Sequence, residues 1–313
     1  MKDLISIAEL NSEYINSLVR DAIEMKQDGW RNILDRKILG LIFEKPSLRT
    51  RVSFEVAMKQ LGGTAIYLSP AEVGLGKRES VSDVARVLSR FVDVIAARTF
   101  SHNTVMQLAQ YASVPVINAL SDEEHPCQAL ADLLTIYEKK GDFKKLTLAF
   151  IGDGNNVTNS LVLAAGLTGM NFRIASPEGF DIKEKYLNMA RGFAEENSSE
   201  IVCLREPKEA VEGADIVYTD VWTSMGQEEE AERRRKVFAG YQVNENLMKY
   251  AREDAIIMHD LPAHYGEEVA EGILDSPQSV VFDQAENRMH AQKTLLVRLL
   301  GGGEIPMAGY RLR

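Results

Sequence analysis

The sequence predicts an α/β protein with two doubly wound parallel-sheet domains and a cleft between them. Three observations predict this: a length of 313 residues, strand-length apolar runs that alternate with helical patterns, and a polar stretch near the middle of the chain. A single hydrophobic core rarely serves more than about 250–300 residues, so this length favours two cores. Regular alternation of strands and helices is typical of parallel sheets that helices cover on both faces.

Apolar runs of strand length give the candidate strands. They span residues 38–43, 64–68, 94–97, 116–118, 146–151, 172–175, 200–204, 216–219, 255–258 and 280–282. Helical patterns fill most of the gaps, and the last pattern covers about residues 285–300 before three glycines. Because no apolar run approaches the roughly twenty residues of a membrane span, no span is expected.

The polar segment at residues 138–145 marks the expected domain boundary, since it separates a long helical pattern from a new strand. The first domain is therefore expected to comprise residues 1–138 and the second residues 139–313. The final helix is expected to pack back on the first domain and bring Arg288 to the cleft. Two domains of this kind enclose a cleft in which a ligand can bind.

Composition excludes several classes of protein. The chain has 36 basic and 46 acidic residues and a formal net charge of -10, which argues against a general surface for nucleic acid or anionic membranes. Cys127 and Cys203 are too few for a disulfide framework, and the segment that starts at Met1 lacks the apolar core of a signal peptide. A cytoplasmic protein is expected.

The most informative motif is Ser47-Leu48-Arg49-Thr50-Arg51, between a predicted buried strand and a helical pattern. A strand that leads into a helix presents unpaired backbone N–H groups and the positive end of the helix dipole. Arg49 adds a guanidinium that binds phosphate oxygens in a bidentate manner. The motif therefore predicts an anion site, for phosphate. The alternative is that Ser47 only caps the helix while both arginines face solvent.

Other polar residues follow predicted strands, at the sheet edge where open parallel sheets bind ligands. They are Arg98, the segment 125–128, the segment 152–156, Asp220 and the segment 259–262. Each alone also suits an ordinary surface or capping residue, and Arg288 suits a solvated helix position. Gly152-Asp153-Gly154 resembles the start of a dinucleotide fingerprint, but Val157 stands where the third glycine belongs, which argues against a nicotinamide cofactor.

Four segments together resemble the ornithine carbamoyltransferases of the aspartate/ornithine carbamoyltransferase family. They are EKPSLRTRVSFE at 44–55, HPCQ at 125–128, DVWTSMG at 220–226 and AENRMHAQ at 285–292. The first two resemble carbamoyltransferases generally, and the third resembles the loop specific to ornithine enzymes. The resemblance implies transfer of the carbamoyl group from carbamoyl phosphate to the δ-amine of L-ornithine, which gives L-citrulline and phosphate in arginine metabolism.

The resemblance also implies roles for individual residues. Carbamoyl phosphate is expected to contact Ser47, Leu48, Arg49, Thr50, Arg98, His125, Gln128, Leu261 and Arg288. Ornithine is expected to contact Asn156, Asp220, Ser224 and Met225, with residues 224–226 closing as a lid that excludes water. Arg98, His125 and Asp260 are the expected catalytic residues. The resemblance implies no metal, other cofactor, nucleic acid or membrane. It implies a homotrimer or a multiple of trimers.

The chain departs from the family pattern at Leu48 (threonine expected), Gly74 (glutamine from a neighbouring subunit expected), Asp260 (cysteine expected) and Tyr265 (arginine expected). Lys77 or Arg78 is a candidate to supply the side chain that Gly74 lacks. Asp260 matters most, because it replaces a thiol of pKa about 8.5 by a carboxyl of pKa about 3.9 near the reacting amine.

Two alternative functions therefore stay open. One is a carbamoyltransferase for a different amine, such as putrescine or a modified ornithine. The other is a non-catalytic relative that binds carbamoyl phosphate, against which the joint presence of the basic and polar site residues argues. The same chemistry serves the synthesis or the breakdown of arginine, and the residues fit either direction.

Overall fold

The computed structural model describes residues 1–29, 32–76, 78–223 and 228–301. Within these residues the chain forms two parallel β-sheets, of four and five strands, with helices between successive strands. This is the predicted two-domain α/β fold. No helix of the described chain is both long enough and apolar enough to cross a membrane.

The first sheet has the strand order β2-β1-β3-β4. Its strands are β1 Ile38–Phe43, β2 Thr64–Leu68, β3 Val94–Arg98 and β4 Val116–Leu120. The helices of this half are α1 Ser12–Asp28, α2 Leu48–Gln60, α3 Pro70–Val73, α4 Val81–Leu88, α5 His102–Tyr111 and α6 Pro126–Lys140. Phe43 pairs with Arg98 in the register of β1 and β3, so the ends of both strands lie at one edge.

The second sheet has the order β7-β6-β5-β8-β9. Its strands are β5 Thr147–Ile151, β6 Asn171–Ala175, β7 Ile201–Leu204, β8 Ile216–Thr219 and β9 Ile256–Met258. The helices are α7 Asn156–Thr168, α8 Glu184–Glu196, α9 Pro207–Val211, α10 Ala231–Phe238, α11 Glu245–Met248 and α12 Val281–Leu300. Every residue of β5, β8 and β9 is buried, as expected for strands covered on both faces.

Helix α12 packs against α1, α2 and α6, so the end of the described chain returns to the first half of the molecule. One buried apolar cluster includes Phe43 and Phe54 near the first sheet and Phe150 and Tyr218 in the second. Because this cluster continues from one sheet to the other, the two halves share packing around α6 and α12. The expected return of the final helix is confirmed, and it brings Arg288 to the carboxyl edges of the strands.

The predicted strand at residues 280–282 is wrong, whereas the other nine predicted strands are present. The chain is bridged to β9 where this segment begins, since the backbone N–H of Val280 donates to the carbonyl of Ile257 at 3.0 Å. The N–H of Gln284 then donates to the carbonyl of Val280 at 2.8 Å, which is a helical bond. The apolar residues are therefore the N-cap and first turn of α12, and a short buried turn has the same composition as a short strand.

Candidate active site

The carboxyl ends of the strands surround a cavity of about 1550 Å³ between the two sheets. Ten of the expected site residues line it: Ser47, Leu48, Arg49, Arg98, His125, Asn156, Asp220, Asp260, Leu261 and Arg288. Thr50 and Gln128 are buried: Thr50 accepts from the cavity residues Arg288 and Arg98, and Gln128 donates to Asp132. Ser224 and Met225, with the rest of the expected lid, lie outside the described residues. The structure therefore brings together the described residues that the sequence selected.

Ser47 is the N-cap of α2 and shapes the turn after β1. Its hydroxyl accepts the N–H of Thr50 at 3.3 Å and lies 3.0 Å from the Thr50 hydroxyl, and its carbonyl accepts the N–H of Arg51 at 3.2 Å. A helix leaves its first four N–H groups unused. The Ser47 hydroxyl takes the N–H of Thr50, and the bond of Arg51 is the first regular helical one, so the N–H groups of Leu48 and Arg49 remain to bind a ligand.

Two buried arginines meet at the hydroxyl of Thr50. Arg288 donates from Nη2 to Thr50 Oγ1 at 2.6 Å, and Arg98 donates from Nη1 at 3.5 Å. The Nε atoms of Arg49, Arg98 and Arg288 are buried without a hydrogen-bond partner in the described chain. Burial and the neighbouring Arg288 lower the pKa of Arg98 to about 10, and burial lowers that of Arg288. Cations that lower one another's pKa in this way form a site for a multiply charged anion.

The positions of Arg51 and Lys45 relative to the cavity differ from those that the motif suggested. Arg51 is exposed, pairs with Glu55 at 2.8 Å and stacks 3.9 Å from the centre of the Tyr67 ring, so it lies outside the cavity. Lys45 lines the cavity, where burial and the charge of Arg98 lower its pKa. Lys45 is thus a further cation that sequence reasoning did not select, although it stands in the same turn.

His125 is the N-cap of α6, and its ring is buried beside the arginines. Its backbone N–H donates to Ser160 Oγ at 2.9 Å, which fixes the start of the helix. Its Nδ1 has no partner within the described residues. Burial and the positive charges of Arg288 and Arg98 hold its pKa well below the usual value. At neutral pH His125 is therefore an uncharged imidazole that offers one N–H and one acceptor nitrogen.

Asp220 and Asp260 form a carboxyl pair on another side of the cavity, with an oxygen of one within 4.8 Å of an oxygen of the other. Asp220 Oδ2 also accepts from Asn155 Nδ2 at 2.7 Å. Burial raises the pKa of Asp260 to about 6, and burial with the adjacent Asp260 raises that of Asp220 well above the usual value. Asp260 Oδ1 has no hydrogen-bond partner in the described chain. Such a pair suits an ammonium group.

His259 holds the segment that carries Asp260. Its Nδ1 accepts the backbone N–H of Leu261 at 2.9 Å, and its Nε2 lies 3.2 Å from Glu268 Oε1. Because Nδ1 is an acceptor, its 3.5 Å approach to Asp260 Oδ1 brings two acceptors together and is not a hydrogen bond. Leu261 has a φ of +57°, an unusual conformation for leucine that this backbone bond maintains.

Two groups of side chains within the described ranges have potential metal-ligand atoms within 4.8 Å of one another: Asp220, His259 and Asp260, and His264, Glu267 and Glu268. In the first group both nitrogens of His259 are already engaged. In the second, Glu268 Oε1 accepts from the backbone of His264 at 2.5 Å and Glu267 pairs with Arg235 at 2.8 Å. Neither group therefore presents three uncommitted ligands.

Asn155, Asn156 and Arg234 shape the second-sheet side of the cavity. Asn155 caps α7 and holds Asp220, while Asn156 donates from Nδ2 to the carbonyl of Ser121 at 2.8 Å. Arg234 donates from Nη1 to Asp153 Oδ2 at 2.7 Å and to the carbonyl of Trp222 at 2.8 Å. Asn155 lies in the segment 152–156 that the sequence placed at the sheet edge, but no ligand contact was assigned to it, and Arg234 was not selected. The helix-cap position of Asn155 was a usable signal, whereas nothing in the sequence marks Arg234.

The departures from the family pattern have different surroundings. Leu48 is 75% exposed at the rim of the cavity, and Tyr265 is 44% exposed there. Gly74 ends α3 with a φ of +54°, and an added Cβ would lie 2.8 Å from Cβ of Arg78. A side chain at this position would therefore be strained. Arg78 donates to the carbonyl of Glu72 at 3.3 Å, and Lys77 lies outside the described residues.

Fold and site together define a two-substrate α/β enzyme, in which an anion site faces a site for an amine. Comparison with known proteins identifies the family. Residues 2–138 match the aspartate/ornithine carbamoyltransferase carbamoyl-P binding domain, and residues 144–299 match the Asp/Orn binding domain of that family. The chain belongs to the aspartate/ornithine carbamoyltransferase family.

Individual relatives cover nearly the whole chain. Ornithine carbamoyltransferase of Anoxybacillus flavithermus is 53% identical over 303 residues, 96% of each chain. That of Archaeoglobus fulgidus is 50% identical over 305 residues, 96% of this chain and 98% of the relative. The solved structure of ornithine carbamoyltransferase from Pyrococcus furiosus has a TM-score of 0.93 and 50% identity, and covers 97% of this chain and 98% of that one.

Proposed function

We propose that this protein transfers the carbamoyl group of carbamoyl phosphate to the δ-amine of L-ornithine, which yields L-citrulline and phosphate. One observation carries the proposal: the arginines at Thr50 and the carboxyl pair of Asp220 and Asp260 line the same cavity. The charges of Arg288 and Arg49 lower the pKa of Asp260, which supports a position of the carboxyl pair beside the arginines. The family and the named relatives support the same activity.

Carbamoyl phosphate binds in the first half of the cavity in this proposal. The phosphate contacts Arg49, Arg98 and the N–H groups at the start of α2, and Arg288 completes the positive surround. The amine nitrogen attacks the carbamoyl carbon, and the carbonyl oxygen gains negative charge that Arg98 and the neutral His125 stabilise by charge and by a hydrogen bond. The bond from carbon to the bridging oxygen then breaks, and phosphate leaves with that electron pair.

Ornithine binds on the opposite side. Asp220 pairs with its α-ammonium, and Asn156 contributes an amide. Asp260 lies beside the reacting δ-amine, which must lose a proton before or during attack. With a pKa raised to about 6 by burial, Asp260 is a stronger base than an exposed carboxylate and accepts that proton at neutral pH.

The subunits assemble as a cyclic trimer, or a multiple of trimers, in this proposal. Helix α2 and the edge strand β2 pack together and expose Leu48, Val52 and Ile66, which are 75%, 46% and 44% exposed. Apolar side chains on an edge strand and its neighbouring helix support burial against another subunit. Light scattering after gel filtration should give three subunits or a multiple of three, and a monomer at micromolar concentration would contradict this part of the proposal.

A second candidate function is carbamoyl transfer to a diamine, because the carboxyl pair of Asp220 and Asp260 also suits a substrate with two ammonium groups. A colorimetric assay for ureido products distinguishes the candidates when ornithine, putrescine, aspartate and N-acetylornithine are compared in parallel. We expect product from ornithine and at most traces from the others. Relatives described as anabolic and as catabolic match at 50% and 48% identity, so the reverse reaction of citrulline with phosphate is measured as well.

A further inference from the structure

Asp132, which the proposed reaction does not use, lies at the centre of a buried polar network behind the cavity. It is in the middle of α6 and fully buried. Its Oδ1 accepts from Gln128 Nε2 at 2.8 Å and from Gln284 Nε2 at 2.7 Å, and its Oδ2 accepts from the Tyr218 hydroxyl at 3.2 Å. A carboxyl buried in a helix interior is costly even when it is hydrogen-bonded, which calls for a reason for its presence.

The reason lies in the amide of Gln128. Its nitrogen must face Asp132, because the opposite orientation would bring the amide oxygen against a carboxyl oxygen. Its Oε1 is consequently turned elsewhere, and this buried atom has no hydrogen-bond partner in the described part of the chain. A buried acceptor without a donor is unfavourable unless a ligand supplies one. Gln128 lies one turn after His125, on the face of α6 that reaches the cavity.

We propose that Asp132 is a positioning residue, which holds the Gln128 amide so that its oxygen accepts an N–H of the carbamoyl group. Asp132 thereby makes the site prefer a carbamoyl ligand to an analogue with a methyl group in place of the amide nitrogen. A methyl group of similar size cannot donate a hydrogen bond, so it leaves Gln128 Oε1 unpaired. This inference rests on the proposed function, since it requires a carbamoyl compound as the ligand.

Further hydrogen bonds in the network fix the position of the Asp132 carboxyl group. Gln284 Oε1 accepts the backbone N–H of His259 at 2.9 Å, and Gln284 Nε2 also donates to the Tyr218 hydroxyl at 3.0 Å. Asp132 is therefore connected to α12, β8 and the segment after β9. Burial raises the pKa of Asp132 to about 7. A proton on Oδ2 would face the Tyr218 oxygen, which accepts it, so Oδ1 continues to accept from both amides in either state.

Two stable phosphonates test this role by calorimetric titration, which does not require activity. Phosphonoacetamide keeps the amide group of carbamoyl phosphate, and 2-oxopropylphosphonate has a methyl in its place. We expect the unaltered protein to bind the amide about fivefold to tenfold more tightly, which corresponds to one net hydrogen bond. In Asp132→Leu the preference should disappear, while affinity for the ketone and for inorganic phosphate stays within about twofold.

Asp132→Asn is the conservative variant, and it should retain the preference. The asparagine oxygen accepts from Gln128 and Gln284, while its nitrogen donates to the Tyr218 oxygen. Asp215→Leu is the matched control for general destabilisation. Asp215 is another largely buried carboxylate, but it accepts the N–H of Thr147 at 2.9 Å at the opposite edge of the second sheet, so its loss should leave the preference unchanged.

Several outcomes would overturn the inference. The first is a preference for the amide that survives in Asp132→Leu, and the second is equal binding of both phosphonates by the unaltered protein. The third is an equal loss of affinity for both phosphonates in Asp132→Leu, which would show that Asp132 has only a structural role. If Asp132→Leu does not fold, Asp132→Asn decides, because loss of the preference in that folded variant also contradicts the inference. Failure of the unaltered protein to bind either phosphonate would instead contradict the proposed function.

Discussion

Nη2 of Arg288 donates to Oγ1 of Thr50 at 2.6 Å, although the two residues are 238 positions apart in the chain. This bond joins α12 to the first turn of α2. Arg98 donates to the same hydroxyl at 3.5 Å, so one small side chain lies against two guanidinium groups. Among the described residues no carboxylate is in direct contact with these two guanidinium groups, and a phosphate group would balance their charge.

The arginine cluster predicts opposite effects on activity and stability. Arg98→Met should lower the rate of carbamoyl transfer at least a hundredfold, since the loss of a positioned charge contact costs about 3 kcal/mol in the transition state. The unfolding temperature without ligand should stay constant or rise, because Arg98 is a buried cation that the charge of Arg288 disfavours. Steady-state kinetics and thermal unfolding of the same preparation test both effects.

Arg51→Met is the matched control, because Arg51 lies in the same motif but outside the cavity. Its pair with Glu55 is exposed, and such pairs contribute little to stability. The control should retain near-normal turnover. Normal turnover in Arg98→Met, or an equal loss in both variants, would contradict the assignment of the anion site.

Asp220 predicts a change that is confined to one substrate. Asp220→Asn should raise the KM for ornithine at least tenfold, and it should change the KM for carbamoyl phosphate much less. A buried ammonium that loses its carboxylate partner is left without charge compensation, which costs a few kcal/mol. Initial rates with each substrate varied in turn measure the two constants. Equal changes in both constants would show that Asp220 supports the cavity as a whole.

Asp260 predicts a change in the pH dependence of the rate. A carboxylate beside the δ-amine stabilises the ammonium form, so the rate of the natural protein should rise toward alkaline pH. Asp260→Cys restores the residue that the family pattern expects and should lower the pH at which the rate reaches its plateau. Rates of citrulline formation from pH 6 to 10 compare the two forms. Superimposable profiles would exclude a role for Asp260 in the protonation of the amine.

Asp260 also predicts a pH-dependent stability difference. Its pKa in the folded protein is raised to about 6, against an ordinary value of about 3.9. Between these values the folded state binds more protons than the unfolded state, so this group lowers stability as the pH rises from about 4 to 6 and keeps it lower above that range.

The corresponding variant is Asp260→Asn, whose amide cannot ionise and can donate to Asp220. Its unfolding temperature should exceed that of the natural protein by a margin that grows between pH 4.5 and 6 and is constant above pH 6. Differential scanning calorimetry of ligand-free samples across this range measures the margin. A margin that shrinks as the pH rises would show that Asp260 is ionised and well compensated in the folded protein.

Much of the fold could be predicted because the periodic signals were local. Nine strands follow from apolar runs, and the site follows from the polar residues at their carboxyl ends. The exception at residues 280–282 shows the limit of this signal, because the first turn of α12 is as apolar as a buried strand. Only the packing of the later residues against α1, α2 and α6 decides between the two structures.

The parts of the site that the sequence did not reveal depend on contacts between distant segments. Taken alone, Arg98 suited an ordinary surface position, whereas it is buried and donates to Thr50. The sequence placed His125 among the expected catalytic residues without indicating its charge, whereas burial and the surrounding arginines lower its pKa and keep that ring neutral at pH 7. Asp132 attracted no notice, because one carboxyl in an apolar helix has no motif. These properties arise from burial and neighbouring charges, which no local pattern encodes.

The most direct test of the central claim is identification of the bond that the enzyme forms. Carbamoyl phosphate labelled with carbon-13 is incubated with L-ornithine that carries nitrogen-15 only at the δ position, and the product is examined by NMR. The account predicts a ureido carbon coupled to the labelled δ-nitrogen, in citrulline formed in equal amount with phosphate. A labelled carbon without this coupling, in an α-carbamoyl product or as free bicarbonate alone, would contradict it.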